Sequence, residues 1–149
     1  MYIYTDGFQS YLRQTNKLIA NIEKAINGEF SAINCYAHLA KIAPNEQERK
    51  QILEIRKDEK KHFKEFSQIY FNLTGMQPQP KITEDCPKQY IEGLEFALKD
   101  EQETVDFYLS ISDDSNNAYI KETFRRAAAD EQNHAVWFLY FYTKTRSKS

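Results

Sequence analysis

The sequence predicts an all-α fold: a four-helix bundle with a long crossover between helices 2 and 3, built from a duplicated helical hairpin. Three observations lead there. Apolar residues recur at spacings of three and four along four long segments. A shift of 72 positions superposes residues 19–70 on 91–142 without a gap, with eleven identities in 52 positions, where chance gives about three. The matches include Glu29/Glu101, Tyr36/Tyr108, Asn45/Asn117, Glu59/Glu131 and His62/His134. Finally, 4 Gly and 4 Pro in 149 residues are too few for a turn-rich β-sandwich.

The first helix is expected from about Thr15 to Ile42, ending before Pro44. Asn45 is a good N-cap, and Glu48 three residues on completes a capping box for the second helix. That helix runs to about Leu73, with Gly75 as its stop. Repeat 1 is thus about 15–73, and 74–86 is the crossover, stiffened by Pro78 and Pro80. A helix of about 28 residues is about 42 Å long, and roughly thirteen extended residues reach about 43 Å. The crossover can therefore return along the whole bundle and set helix 3 parallel to helix 2. Repeat 2, about 87–144, places helix 3 from near Pro87 to near Ser112, a loop at DDSNN, Asn117 as cap, and helix 4 to about Lys144. The tail TKTRSKS should fray. The aromatic N-terminal segment, with Tyr2, Ile3, Tyr4, Phe8, Tyr11 and Leu12, should pack as an extra short helix.

Residues 1–149 fit one domain. Hydrophobic residues at 41%, with 10 Tyr, 10 Phe and 1 Trp, can fill a core. Twenty basic against 22 acidic residues give a net charge of −2, so no nucleic-acid partner is expected. No apolar run is long enough for a membrane span, and MYIYTDGFQS does not read as a signal peptide. Cys35 and Cys86 lie far apart with no C-x-x-C pair, which argues against a zinc ribbon, a rubredoxin-type iron site or a disulfide framework. They read as small buried thiols in a cytoplasmic protein. His38 lies off the apolar seam and reads as a surface residue.

Each apolar seam is interrupted near its midpoint. Helix 1 reads Ile22, Ile26, Glu29, Ile33, Tyr36, and helix 3 reads Leu94, Leu98, Glu101, Val105, Tyr108. Helix 2 carries Glu59 and His62 between Ile55 and Phe66; helix 4 carries Glu131 and His134 between Ala127 and Phe138. Four glutamates and two histidines therefore converge at one level of the core. Buried carboxylates cost several kcal/mol each and repel one another. No Lys or Arg lies on the seams; Arg56 flanks one and is the best protein counter-charge. Two cations resolve the conflict better. Glu-x-x-His places both side chains on one face, one turn apart, and carboxylate with imidazole suits iron or manganese, with zinc as another occupant.

Glu29, Glu59-Lys60-Lys61-His62, Glu101 and Glu131-Gln132-Asn133-His134 resemble the di-iron carboxylate site of the ferritin-like superfamily. The stretch GEFSAINCYAHLAKIAPNEQERKQILEIRKDEKKHF is most similar to rubrerythrin-type domains. The resemblance implies a ferritin-like bundle holding two iron ions that react with peroxide or oxygen, as a peroxidase, oxidase or ferroxidase, with no catalytic residue beyond the ligands. An iron-storage protein, a structural metal-pinned bundle and a di-manganese catalase are the alternatives. Rubrerythrins usually add a rubredoxin-like domain, absent here, so a peroxidase would need an external electron donor, a rubredoxin-like protein or a reductase. They also carry a further glutamate on helix 3 where this chain has Thr104; Glu103 is one residue off.

Around the ligands, Tyr36 and Tyr108 lie two turns beyond Glu29 and Glu101 and are candidates to hydrogen-bond ligand carboxylates. With helices 2 and 4 antiparallel, Asp58 should reach His134 and Asp130 should reach His62. Residues 136–142, Val-Trp-Phe-Leu-Tyr-Phe-Tyr, are apolar on every side. One side needs cover from the N-terminal segment or from a second subunit, and a homodimer is expected.

Overall fold

The structure, a computed structural model, describes residues 2–148, with side chains described for residues 6–148. Four helices follow in chain order: α1 (Tyr2–Ile42), α2 (Glu46–Thr74), α3 (Tyr90–Asp114) and α4 (Ala118–Ser147). The two repeats form the hairpins α1–α2 and α3–α4, with α1 beside α3 and α2 beside α4.

The caps fall where the sequence places them. Asn45 Oδ1 accepts from the Glu48 backbone N–H at 2.9 Å, and Asn117 Oδ1 accepts from that of Ile120 at 3.0 Å. Glu48 is buried and closes its box on the Asn45 side-chain amide at 2.6 Å, while Tyr90 Oη donates to its other oxygen at 3.0 Å. Gly75 ends α2 in the left-handed region at φ 73°, donating to the Phe71 carbonyl. The crossover runs the length of the bundle and enters α3 parallel to α2, as its length predicts.

Three boundaries differ from expectation. The N-terminal segment is not a separate short helix: α1 is continuous from Tyr2, because nothing between it and Ile42 but Gly7 and Gly28 disfavours helix and no proline intervenes. Phe8 and Tyr11, each 63% exposed, do not pack back on the bundle; Tyr2, Ile3 and Tyr4 fall outside the described side chains. α3 starts at Tyr90 rather than Pro87, since the chain up to Lys88 is still tied to α1. The tail expected to fray stays helical to Ser147.

The core is two apolar clusters stacked along the bundle axis. One joins Ile22, Ile26, Phe66, Ile69, Tyr108 and Phe124; the other joins Tyr36, Leu39, Ile52, Ile55, Leu94 and Phe138. Between them lies the level of the glutamates and histidines. A Cβ at Gly93 would overlap the buried Leu39 side chain, so this glycine lets α3 approach α1 closely.

Cys35 and Cys86 are not two separate thiols. They form a disulfide, Cα atoms 5.2 Å apart, that ties the crossover to α1 and closes a loop of 51 residues. A loop of that length contributes about 4 kcal/mol in the chain-entropy account. Cysteine usage therefore gives no support to a reducing compartment. Among the described residues, no helix is long and apolar enough to cross a membrane.

Candidate metal centre

Glu29 on α1, Glu59 and His62 on α2, Glu101 on α3, and Glu131 and His134 on α4 are all buried. They meet as two overlapping groups whose donor atoms lie within 4.8 Å of one another: Glu29, Glu59, His62, Glu131, and Glu59, Glu101, Glu131, His134. Glu59 and Glu131 belong to both. His62 Nδ1 faces Glu131 at 3.1 Å and Glu29 and Glu59 at 3.5 Å. His134 Nδ1 faces Glu59 at 3.2 Å, Glu101 at 3.5 Å and Glu131 at 3.8 Å. The pseudo-two-fold arrangement follows from the duplication.

The outer contacts are crossed between repeats. His62 Nε2 bonds Asp130 at 2.8 Å and His134 Nε2 bonds Asp58 at 2.9 Å. Because the nearby aspartate holds Nε2–H, each Nδ1 is directed into the cluster. Tyr36 Oη donates to Glu101 at 2.6 Å, and Tyr108 Oη donates to Glu29. Burial, and then the charge of Glu101 or Glu29, holds both phenols well above the usual range, so they remain proton donors. These exchanges, 36 with 101 and 108 with 29, also show that α1 and α3 run antiparallel.

Arg56 does not supply the counter-charge expected of it. Its Nε donates to the Ile33 carbonyl at 2.8 Å, and among the described residues it forms no ion pair with the clustered glutamates. Thr104 bonds the Asp100 carbonyl, and Glu103 is exposed on the cavity rim. His38 is half-buried rather than on the open surface, and reaches the Lys88 carbonyl at 3.1 Å.

Electrostatics expose what the cluster lacks. Burial, then the Glu59 charge, pushes Glu29 up to about 8. Burial and the charge of Glu101 raise Glu131 well above the carboxylate range. At both histidines burial works against charge, yet the surrounding carboxylates win: His134 rises to about 11, through Glu101 and Glu59, and His62 is raised further, led by Asp130. Glu59, between the two histidines, is held low against its burial. Without cations, the cluster gathers protons in their place.

One orphaned buried atom comes from each of the six residues: Glu29 Oε2, Glu59 Oε1, His62 Nδ1, Glu101 Oε2, Glu131 Oε1 and His134 Nδ1. Apart from Ser67 Oγ, these are the buried side-chain nitrogen and oxygen atoms without a hydrogen-bond partner among the described residues. Leaving six such atoms unsatisfied in one place would be costly. An oxygen and nitrogen donor set of this kind fits a pair of transition-metal ions.

A cavity of about 200 Å³ leads to the cluster from outside, reaching Glu29, Glu59 and Glu131 past Gly28 and Ala32. Thr83 and Glu84 of the crossover, with Asp100, Glu103 and Thr104 of α3, form its rim. Asp100 and Glu84 both line this rim, and burial followed by the Glu84 charge lifts Asp100 to about 8. Sequence periodicity does not reveal these two residues, since neither lies on a seam.

The bundle and its glutamate–histidine cluster define a ferritin-like protein with a buried metal-binding site. The rubrerythrin sequence profile matches residues 20–86 and 92–149, which hold all six clustered residues. The chain belongs to the rubrerythrin family. It is 56% identical over 129 residues to the uncharacterized protein YhjR of Bacillus subtilis (strain 168), covering 87% of this chain and 89% of that protein. Among solved structures, it resembles a ferritin-like, diiron-carboxylate protein from Bacillus anthracis strain Ames, with TM-score 0.72 and 23% identity over 87% of this chain and 97% of the other. A hypothetical protein from Pyrococcus furiosus aligns with TM-score 0.72 and 22% identity over 85% and 88% of the two chains. At those identities the two structures speak to the fold.

Proposed function

We propose that this chain is a di-iron oxidoreductase that reduces peroxide or oxygen. The observation that carries this reading is the set of six orphaned donors, one from each ligand residue, in two groups sharing Glu59 and Glu131. Glu29, Glu59, His62 and Glu131 would hold one ion, and Glu59, Glu101, Glu131 and His134 the other. An iron pair held by these residues would supply two electrons to one oxidant molecule, which would avoid a one-electron radical product. Asp58 and Asp130 fix the ring orientation of the histidines, Tyr36 and Tyr108 steady Glu101 and Glu29, and the two apolar clusters keep water from the site's ends. The cavity past Gly28 admits a small molecule.

Among the described residues the two overlapping groups at this centre are the candidate metal sites, and sustained turnover is proposed to draw on an external donor, a rubredoxin-like protein or a reductase. The second reading is a ferroxidase, and the acidic rim of Glu84, Asp100 and Glu103 favours it, since that rim attracts cations. Anaerobic loading with ferrous ion followed by stopped-flow absorbance with peroxide tests both. Two ions per chain oxidised in a single turnover support the first reading, and sustained oxidation of excess ferrous ion supports the second. No oxidation of the loaded protein overturns both.

The active unit is proposed to be a homodimer. Val136, Leu139 and Tyr140 stay exposed on α4, and the N-terminal aromatics at Phe8 and Tyr11 do not cover them.

A further inference from the structure

The crossover is laced to one stripe of α1. Asn27 Oδ1 accepts from the Lys81 N–H at 3.0 Å, Ser31 Oγ accepts from the Thr83 N–H at 3.0 Å, Cys35 is bonded to Cys86, and His38 Nε2 meets the Lys88 carbonyl at 3.1 Å. On α1 these positions are spaced by four, four and three, a single helix face beside the core seam. On the crossover they bracket Thr83 and Glu84, the two residues that wall the cavity leading to Glu29. Of the three hydrogen-bonded rungs, that of His38 is exposed, and those of Asn27 and Ser31 join a buried side chain to an exposed crossover backbone, so water competes from the crossover side. The disulfide is the one covalent rung, and it follows Glu84 by two residues.

We infer that residues 81–88 form a strap across the cavity mouth and that the Cys35–Cys86 disulfide is its redox-sensitive latch. With the bond closed, Thr83 and Glu84 are held over the mouth. With it open, the strap is kept only by these polar contacts and the packing of Cys86 on the apolar cluster, and it lifts, widening the route to the cluster. Cys86 is half-buried while Cys35 is buried, so attack begins at Cys86. A thiolate of an external dithiol displaces the Cys35 sulfur and forms a mixed disulfide with Cys86. The donor's second thiol then releases Cys86. Two electrons and two protons enter, leaving two cysteine thiols and an oxidised donor. Hydrogen peroxide reverses the change by taking the two electrons and two protons and leaving as two waters. The latch would close under the same oxidant proposed as substrate. What passes beneath the strap rests on the proposed metal site; the motion of the strap does not.

The test compares the oxidised chain, the chain reduced with a phosphine, and the Cys35→Ser, Cys86→Ser double variant. Peptide hydrogen exchange reports the strap, and the rate at which a strong chelator strips bound Co²⁺ reports the route. Reduction should speed exchange across 79–89 with α2 and α4 unchanged, and should raise the stripping rate several-fold. The double variant should match the reduced protein and ignore reductant. Exchange in 79–89 that does not respond to reduction overturns the latch. So does loosening that spreads through all four helices, which would make the disulfide a general staple. If the chain takes up no Co²⁺, the metal-site reading fails, while hydrogen exchange still decides the latch.

Discussion

Asp58 of α2 hydrogen-bonds His134 of α4 at 2.9 Å, and the duplicated Asp130 returns the contact to His62 at 2.8 Å. Each repeat therefore orients the histidine of the other. Both aspartates are partly open to solvent, while both imidazoles are buried. Replacing Asp58 and Asp130 with Asn should preserve the fold and weaken metal affinity by about 10–100-fold. Competitive titration of Co²⁺ against a chromophoric chelator measures this. Unchanged affinity in the double variant would mean that the aspartates do not orient the ligands.

Glu59 and Glu131 each stand in both donor groups, whereas Glu29 and Glu101 stand in one. Substitutions should therefore fall into two classes. Glu29→Ala should leave one tightly held ion, and Glu59→Ala with Glu131→Ala should leave none. Elemental analysis after desalting gives the count. Two tightly held ions in the double variant would remove the six residues from the assignment.

The parts of this molecule legible in its sequence are those that repeat with the helix. Glu29 and Glu101, like the two Glu-x-x-His pairs, occupy positions where the 3.6-residue period demands an apolar side chain, so they stand out one by one and again in duplicate. The crossed Asp–His contacts follow from the same register once α2 and α4 are antiparallel. The disulfide was hidden for a different reason. Cys35 to Cys86 depends on the path of an irregular crossover, which no periodicity encodes. The stripe Asn27, Ser31, Cys35 and His38, beside the core seam, is the available signal. The aromatic residues at the start of α1 suggest packing as a separate element, but the lack of a helix breaker is the stronger local fact and α1 runs unbroken.

The exposed side of α4 should be an interface. Val136 is 61% exposed, and with Leu139 it borders a groove shared with Leu98 and Val105. Light scattering should give twice the chain mass, and Val136→Glu with Leu139→Glu should return a monomer that keeps its helical content. A wild-type monomer at high concentration would leave this face without a partner copy.

The metal-free protein should lose stability as pH rises, and metal should reverse the trend. Burial and the Glu59 charge raise Glu29 from 4.5 to about 8. At His134, bonds and charges from Glu101 and Glu59 overcome burial and raise it from 6.5 to about 11. A group whose folded value is raised gives stability that is complete below its unfolded value and is lost as pH climbs through the folded one. Glu29 thus loses its contribution between 4.5 and about 8, and His134 loses its own between 6.5 and about 11. Asp100, raised from 3.8 to about 8 by burial and Glu84, adds to the decline. Glu59 is lowered, so its contribution fades only as pH falls below its unfolded 4.5, outside this window. Cations displace the gathered protons, so binding strengthens as pH rises. Melting temperatures from about pH 5 to about pH 9 should therefore fall for protein kept in chelator and hold or rise for protein loaded with Co²⁺. A melting temperature that climbs with pH in chelator would show that the buried cluster does not gather protons when it lacks metal.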